Sequence, residues 1–284
     1  MTTIQAQAPD HKPKAAQTRP SVRIKVSRSS TEVALARIGF AVLILILWQV
    51  FAGGPKSALP KNVVGQPTSI WRTFWQLVGN DQLVSALGAT LENFALGLVI
   101  AAPIGIVIGM FTSTRIGKWL LEPALTMLYA IPKVALITLY ILILGIGTKS
   151  HVWLVISAAV FVYYFATEQA IRDLDYDRIV SLRLMGAGPV KVATAYILPA
   201  AIPALLAATR VAIPLAFTAE IFAELKIPAS TGLGVLLTNY EQFLNGAGTM
   251  AIFLFIVAIA YTFDVITAFV LNRYTRSIGL GAQT

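Results

Sequence analysis

From Gly246 to Phe263, and again from Phe94 to Phe111, the chain carries no charged side chain. Runs of this length suit a transmembrane helix, which needs about 20 mostly apolar residues at a rise of about 1.5 Å each. The rest of the sequence agrees. Only 12% of the 284 residues are charged and 57% are hydrophobic, with a mean hydropathy of +0.74. Soluble domains carry about 25% charged residues. Thirteen acids and 22 bases cannot cover a soluble surface of this size. A soluble globule, a disordered tail protein and a collagen-like chain are therefore excluded, and a polytopic membrane protein is expected.

The apolar runs predict an all-α fold, a membrane bundle of six transmembrane helices over about 33–52, 91–111, 120–145, 151–169, 201–223 and 248–271. The first is read as an uncleaved span starting near Val33, because its charged flank is too long for a signal peptide. Placing the N-terminus inside puts fifteen lysines and arginines on the inside and five outside. By the positive-inside rule both termini are then cytoplasmic. Trp48, Trp119 and Trp153 lie near the span ends.

Residues 1–32 read as a disordered basic cytoplasmic tail, with residues 279–284 as a second tail. The alternative for the first is an arm that binds nucleic acid or anionic lipid; topology-setting is the preferred reading, so no nucleic-acid partner is expected. The segment 33–90 holds the first span and an outer-surface stretch whose second half can form an amphipathic helix around Trp71 and Trp75. There is no cysteine. His11 and His151 stand far apart, so no metal site is expected. Gly97, Ala101, Gly105 and Gly109 form one small-residue stripe, and Ala204, Ala208, Ala212 and Ala216 another. Such stripes let helix backbones approach closely, here within the subunit's own bundle rather than at a dimer seam.

Ionisable groups inside spans are costly and are functional candidates by default. Lys133 follows Pro132 and either faces an anionic solute or pairs within the bundle. Arg210 poses the same choice. Asp264 is expected to satisfy a neighbouring polar group. Tyr163 and Tyr164 either line a path or pack. Glu220 and Glu224, one turn apart near the outer end, either form an outer gate or dock a partner, with at least one of them solvated.

The stretch between the fourth and fifth spans is the most informative. Ile179, Leu182 and Met185 recur at helical spacing, with Val180 and Leu184 beside them. Gly186-Ala187-Gly188 then predicts a helix end, and Pro189 the first turn of the next helix. An exposed amphipathic helix here needs a partner's groove or the membrane surface to receive its apolar face.

This helix–glycine–helix loop resembles the signature loop of permease subunits of binding-protein-dependent ABC importers. Gly186 takes the signature glycine, Leu198-Pro199 the closing pair, and Tyr196 the place of an isoleucine. Val180-Ser181-Leu182 stands where Glu-Ala-Ala is usual, so the signature glutamate is absent. Ala130-Ile131-Pro132, Gly145-Ile146-Gly147 and Thr231-Gly232-Leu233-Gly234 resemble the nitrate, sulfonate, taurine and bicarbonate group of these permeases. Glu224, fourteen residues after Arg210, shares that group's spacing.

The resemblance, over roughly 60–278, implies a type I importer permease with its core at 91–278 and its coupling loop at 170–199. It implies a second, identical permease copy, a cytosolic ABC ATPase dimer, a periplasmic or lipid-anchored solute-binding protein, and residence in the bacterial inner membrane. Coupling to the ATPase would run through Arg178, Val180, Ser181, Leu182, Arg183, Met185, Gly186, Ala187 and Gly188. Lys133, Tyr163, Tyr164, Arg210 and Glu220 are candidates for the path of a small anion, and Glu224, Gly232 and Gly234 for the outer gate or binding-protein docking. No catalytic residue or bound cofactor is expected on this chain; ATP and magnesium belong to the partner ATPase. Gly147-Thr148-Lys149-Ser150 lacks the glycine that a phosphate loop places before its lysine. The competing readings are a stand-alone secondary transporter or channel, and an intramembrane hydrolase built on Ser150 and His151.

Overall fold

A computed structural model describes residues 30–53, 65–227 and 231–277. Residues 1–29 of the basic tail and the whole 279–284 tail lie outside these, while residues 30–32 already belong to the first helix. Described residues form helices α1 (Ser30–Gly53), α2 (Pro67–Gly79), α3 (Gln82–Thr112), α4 (Arg115–Ala130), α5 (Lys133–Leu144), α6 (Thr148–Arg172), α7 (Tyr176–Leu184), α8 (Pro189–Val192), α9 (Leu198–Lys226), α10 (Leu233–Gln242) and α11 (Gly246–Ser277). A π-helical turn, Ala193–Ile197, joins α8 to α9. The chain divides into two compact units after Ile46. In the first, Leu35, Ile38 and Phe40 of α1 are exposed, as on a helix bathed in lipid.

Among the described residues five helical segments are long and apolar enough to cross a membrane: Val33–Ala52, Gln82–Thr112, Thr148–Arg172, Pro189–Lys226 and Gly246–Tyr274. The single span expected over 120–145 is instead two helices, α4 and α5, bent by 100°. Counting this pair as one broken span gives six. The break has a local cause. Pro132 has no N–H and disfavours helical geometry at the residue before it, and Ile131 sits extended at ψ 126°. The other spans overrun their expected ends: α3 begins at Gln82 and α11 continues to Ser277. Hydropathy marks only the lipid-immersed part of a helix, and helix-tolerant polar residues carry it further.

In the second unit α6 is the central helix, packed between α3 and α9. A Cβ on Gly97 of α3 would lie 2.5 Å from Val155, and one on Gly105 would lie 2.5 Å from the Val160 carbonyl. Only glycine permits this approach. Ala208, Ala212 and Ala216 of α9 are buried in the same core beside Val155, Ala159 and Tyr163. Both small-residue stripes therefore serve packing within the subunit. Ile70 and Leu77 of α2 are buried with Leu83, Leu233 and Ile252, while Trp71 and Trp75 face outward, so α2 is amphipathic as expected. Ile137 of α5 packs on Leu154 of α6 and on Ala219 and Ala223 of α9.

Candidate functional site

The loop after α6 folds from its own chemistry. The Asp175 side chain accepts from the Asp177 N–H at 3.0 Å and caps α7. At the other end Gly186 stands at φ +83°. Its N–H reaches the Arg183 carbonyl at 2.9 Å, and the Ala187 N–H reaches that of Leu182 at 3.1 Å. This pair of bonds is a Schellman motif and satisfies carbonyls that the helix end would leave free. Gly188 is extended, and Pro189 opens α8. No residue of α7 is buried. Leu184 is 83% exposed and Met185 is 75% exposed, with Tyr176 and Val190 also in the open. Arg178 and Arg183 are exposed beside them, Val180 and Leu182 are half-buried, and Ser181 donates to the Asp177 carbonyl. The result is a protruding helix that joins apolar side chains to two guanidinium groups.

The intramembrane charges sort into three arrangements. Lys133 sits at the α4–α5 break, where its ammonium donates to the Tyr129 carbonyl at 3.3 Å and lies 4.6 Å from the Phe161 ring centroid. It thereby complements the carbonyl end of α4, with Lys133 itself half-buried. Arg210 of α9 and Asp264 of α11 face each other at 3.4 Å, both about half exposed in the isolated subunit. Asp264 thus meets the expectation of a polar neighbour. Glu168 and Arg172, one turn apart at the end of α6, form a second ion pair of this same kind.

The third arrangement overturns the reading that one of the two outer carboxylates is solvated. Glu220 is 0% exposed and Glu224 is 3% exposed. Glu220 Oε1 accepts from the Asn93 amide of α3 at 3.0 Å and lies 3.1 Å from His151 Nδ1 of α6. Glu224 accepts from the Thr90 hydroxyl at 2.7 Å and from the Gly234 N–H at 2.6 Å. Thr90 in turn accepts from the Leu233 N–H at 2.9 Å. The carboxylate thus caps α10, the favourable place for a negative charge. Gly232 and Gly234 give it room: a Cβ on either would lie within 2.7 Å of Glu224 atoms. With both carboxylates enclosed by side chains of α3 and α6, neither borders water here.

Tyr163 and Tyr164 are likewise buried, and the Tyr163 hydroxyl donates to Thr209 at 3.2 Å. Tyr163 packs in the bundle core, while Tyr164, though buried, forms part of the wall of the cavity beside the α4–α5 break. The Ser150 hydroxyl donates to the Tyr140 and Gly145 carbonyls, while His151 turns to Glu220, so the two form no nucleophile–base pair. A cavity of about 420 Å³ lies beside the α4–α5 break, lined by Ile108, Leu128, Leu139, Trp153 and Phe161. Its walls are almost wholly apolar and suit no anion. Sequence reasoning missed Thr90 and Asn93. Their signal was a pair of hydrogen-bonding side chains three residues apart, just before the uncharged run of α3.

Residues 101–279 match the family described as binding-protein-dependent transport system inner membrane component. The putative aliphatic sulfonates transport permease protein SsuC of Bacillus subtilis (strain 168) is 30% identical over 71% of this chain and 72% of its own length. The taurine transport system permease protein TauC of Escherichia coli (strain K12) is 24% identical, over 83% of this chain and 86% of its own. Among solved structures, an inward-facing MetNI methionine ABC transporter matches with a TM-score of 0.55, covering 70% of this chain and 96% of that one at 19% identity, which establishes the shared fold. This chain belongs to the binding-protein-dependent transport system inner membrane component family, as a multi-pass permease subunit of an ABC importer and not its catalytic part.

Proposed function

We propose that the permease carries a small anion, of which an organic sulfonate is the first choice, as one of two identical copies with both termini in the cytoplasm. A cytosolic ABC ATPase dimer receives α7 and the Gly186 turn, and ATP and magnesium are bound there. A periplasmic or lipid-anchored binding protein delivers the solute at the opposite face. The observation that carries this reading is the uncovered α7, whose apolar tip and guanidinium groups need a partner's groove. The excess of lysine and arginine supports a cytoplasmic position for that loop.

The anion preference rests on two supports. Both named relatives are described as sulfonate or taurine permeases. Lys133, half-buried, and Arg210, exposed, also offer cationic groups within or beside the spans. Lys133 is the sharper candidate, since carbonyls and ring faces hold its ammonium without neutralising it. Arg210 already has Asp264. With Val180 in place of the signature glutamate, α7 offers the ATPase Arg183, Arg178 paired with Asp175, and Asp177 in its first turn.

Purification of the tagged permease from native membranes tests the assembly: one ATPase copy per permease supports the symmetric complex. Reconstituted with its ATPase and binding protein, the complex should take up labelled taurine or an alkanesulfonate only with ATP. Lys133→Met should abolish uptake and Lys133→Arg should retain it, with assembly intact in both. Uphill uptake by ATPase-free permease would overturn this reading in favour of a secondary transporter.

A further inference from the structure

We propose that Thr90 and Glu224 are positioning residues that make α10 a rigid arm of α9. The inference rests on the topology proposed above only for what lies at each end. The clamp itself is geometry.

The N-terminus of α10 is held by side chains from two other helices. Its first N–H groups are not left to water. The Leu233 N–H goes to Thr90 of α3, and the Gly234 N–H goes to Glu224 of α9. Thr90 and Glu224 are bonded to each other, so the three elements meet at one buried point. A second tie lies one helical turn away, where Glu220 joins α9 to Asn93 of α3 and His151 of α6. Buried, charge-assisted hydrogen bonds are about twice as strong as neutral ones. All the groups involved in the first tie are almost wholly buried. The clamp therefore opens only at the cost of stranding a carboxylate and two backbone donors away from water.

The position of the clamp gives it mechanical meaning. From Pro189 to Lys226 the chain is one helical run of 38 residues, a rod of roughly 57 Å at the α-helical rise that carries the π-helical turn Ala193–Ile197 and both Pro203 and Pro214 within it. Its N-terminal end adjoins α7 and the Gly186 turn. The clamp joins α10 to its other end. A displacement of the α7–α8 loop is passed along this rod to α10 without loss only if α10 cannot swivel on the Gly232 turn. Thr90 and Glu224 prevent that swivel.

The chain has no cysteine, so labels are placed cleanly. Asn239→Cys on α10 and Leu215→Cys on α9, both exposed, would carry spin labels in the full importer complex. The expected result is one narrow distance distribution, unchanged between nucleotide-free and ATP–vanadate-trapped complex. Thr90→Val should broaden it, and Thr90→Ser, which keeps the hydroxyl, should restore it. A narrow distribution in Thr90→Val, or a wild-type distance that shifts on trapping, would overturn the proposal. Where Thr90→Val lowers yield, Glu224→Gln gives the same test with carboxylate shape retained. The nucleotide-free comparison also runs on permease without ATPase, so a failed clamp is distinguished from a failed importer reading.

Discussion

The carboxylate of Glu224 occupies the space in which a side chain on Gly232 would begin: a Cβ there would lie 2.3 Å from Oε1. Gly232 also stands at φ 155° and ψ 158°, a conformation essentially confined to glycine. Gly232→Ala therefore meets two penalties, backbone strain of about 1–3 kcal/mol and displacement of a buried, hydrogen-bonded carboxylate. Gly186 has positive φ as well, but open space around it. Gly186→Ala meets the first penalty alone. In detergent, Gly232→Ala should lower the thermal midpoint clearly more than Gly186→Ala does. Equal shifts would mean that Glu224 moves aside freely.

Gly186→Pro separates coupling from folding. Proline holds φ near −65°, which is incompatible with +83°, and it removes the N–H that bonds Arg183. The Schellman turn is lost, and α7 no longer meets α8 at the same angle. No residue of α7 is buried, so the bundle loses nothing. ATPase co-purification should fall sharply while the thermal midpoint of the permease stays within a degree or two. Retained ATPase would remove this turn from the coupling surface.

The α7 turn was legible because its cause is local: Gly186, Gly188 and Pro189 dictate it within a few residues. The extent of the apolar runs was legible for the same reason. The α4–α5 break was only half legible. Pro132 marks a weak point, but apolar residues continue across it, and hydropathy cannot see an angle. The clamp was not legible. Thr90 and Glu224 are 134 residues apart, and two carboxylates one turn apart look like a solvated pair until Asn93, His151 and Thr90 are brought round them.

Arg210 and Asp264 lend themselves to a double-mutant cycle. Each is about half exposed in the isolated subunit, and each would be costly alone against lipid. Arg210→Met and Asp264→Asn should each destabilise the complex. The double variant should be less destabilised than the sum, by a coupling of about 0.5–3 kcal/mol. Uptake separates structure from transport. If Arg210 serves only to hold α9 to α11, the double variant recovers transport together with stability. Recovery of stability without transport places the guanidinium in the solute path.

His151 and Glu220 allow the strictest test of the buried network. Their contact spans 3.1 Å, with His151 1% and Glu220 0% exposed. Removing His151 leaves the buried Glu220 with the Asn93 amide alone, and loss of a hydrogen bond to a buried charged group costs about 1.5–3 kcal/mol. His151→Ala should therefore reduce the folded yield strongly. Glu220→Gln keeps an oxygen for Asn93 and His151 and should be milder. The double variant His151→Leu/Glu220→Met removes both polar groups and keeps most of the volume, and buried pairs replaced in this way often lose little or no stability. It should recover most of the thermal midpoint lost by His151→Ala, because Asn93 is only half-buried and can turn to other partners. Failure to recover would show that the polar pair, and not the packing around it, holds α6 to α9 at this end of the bundle.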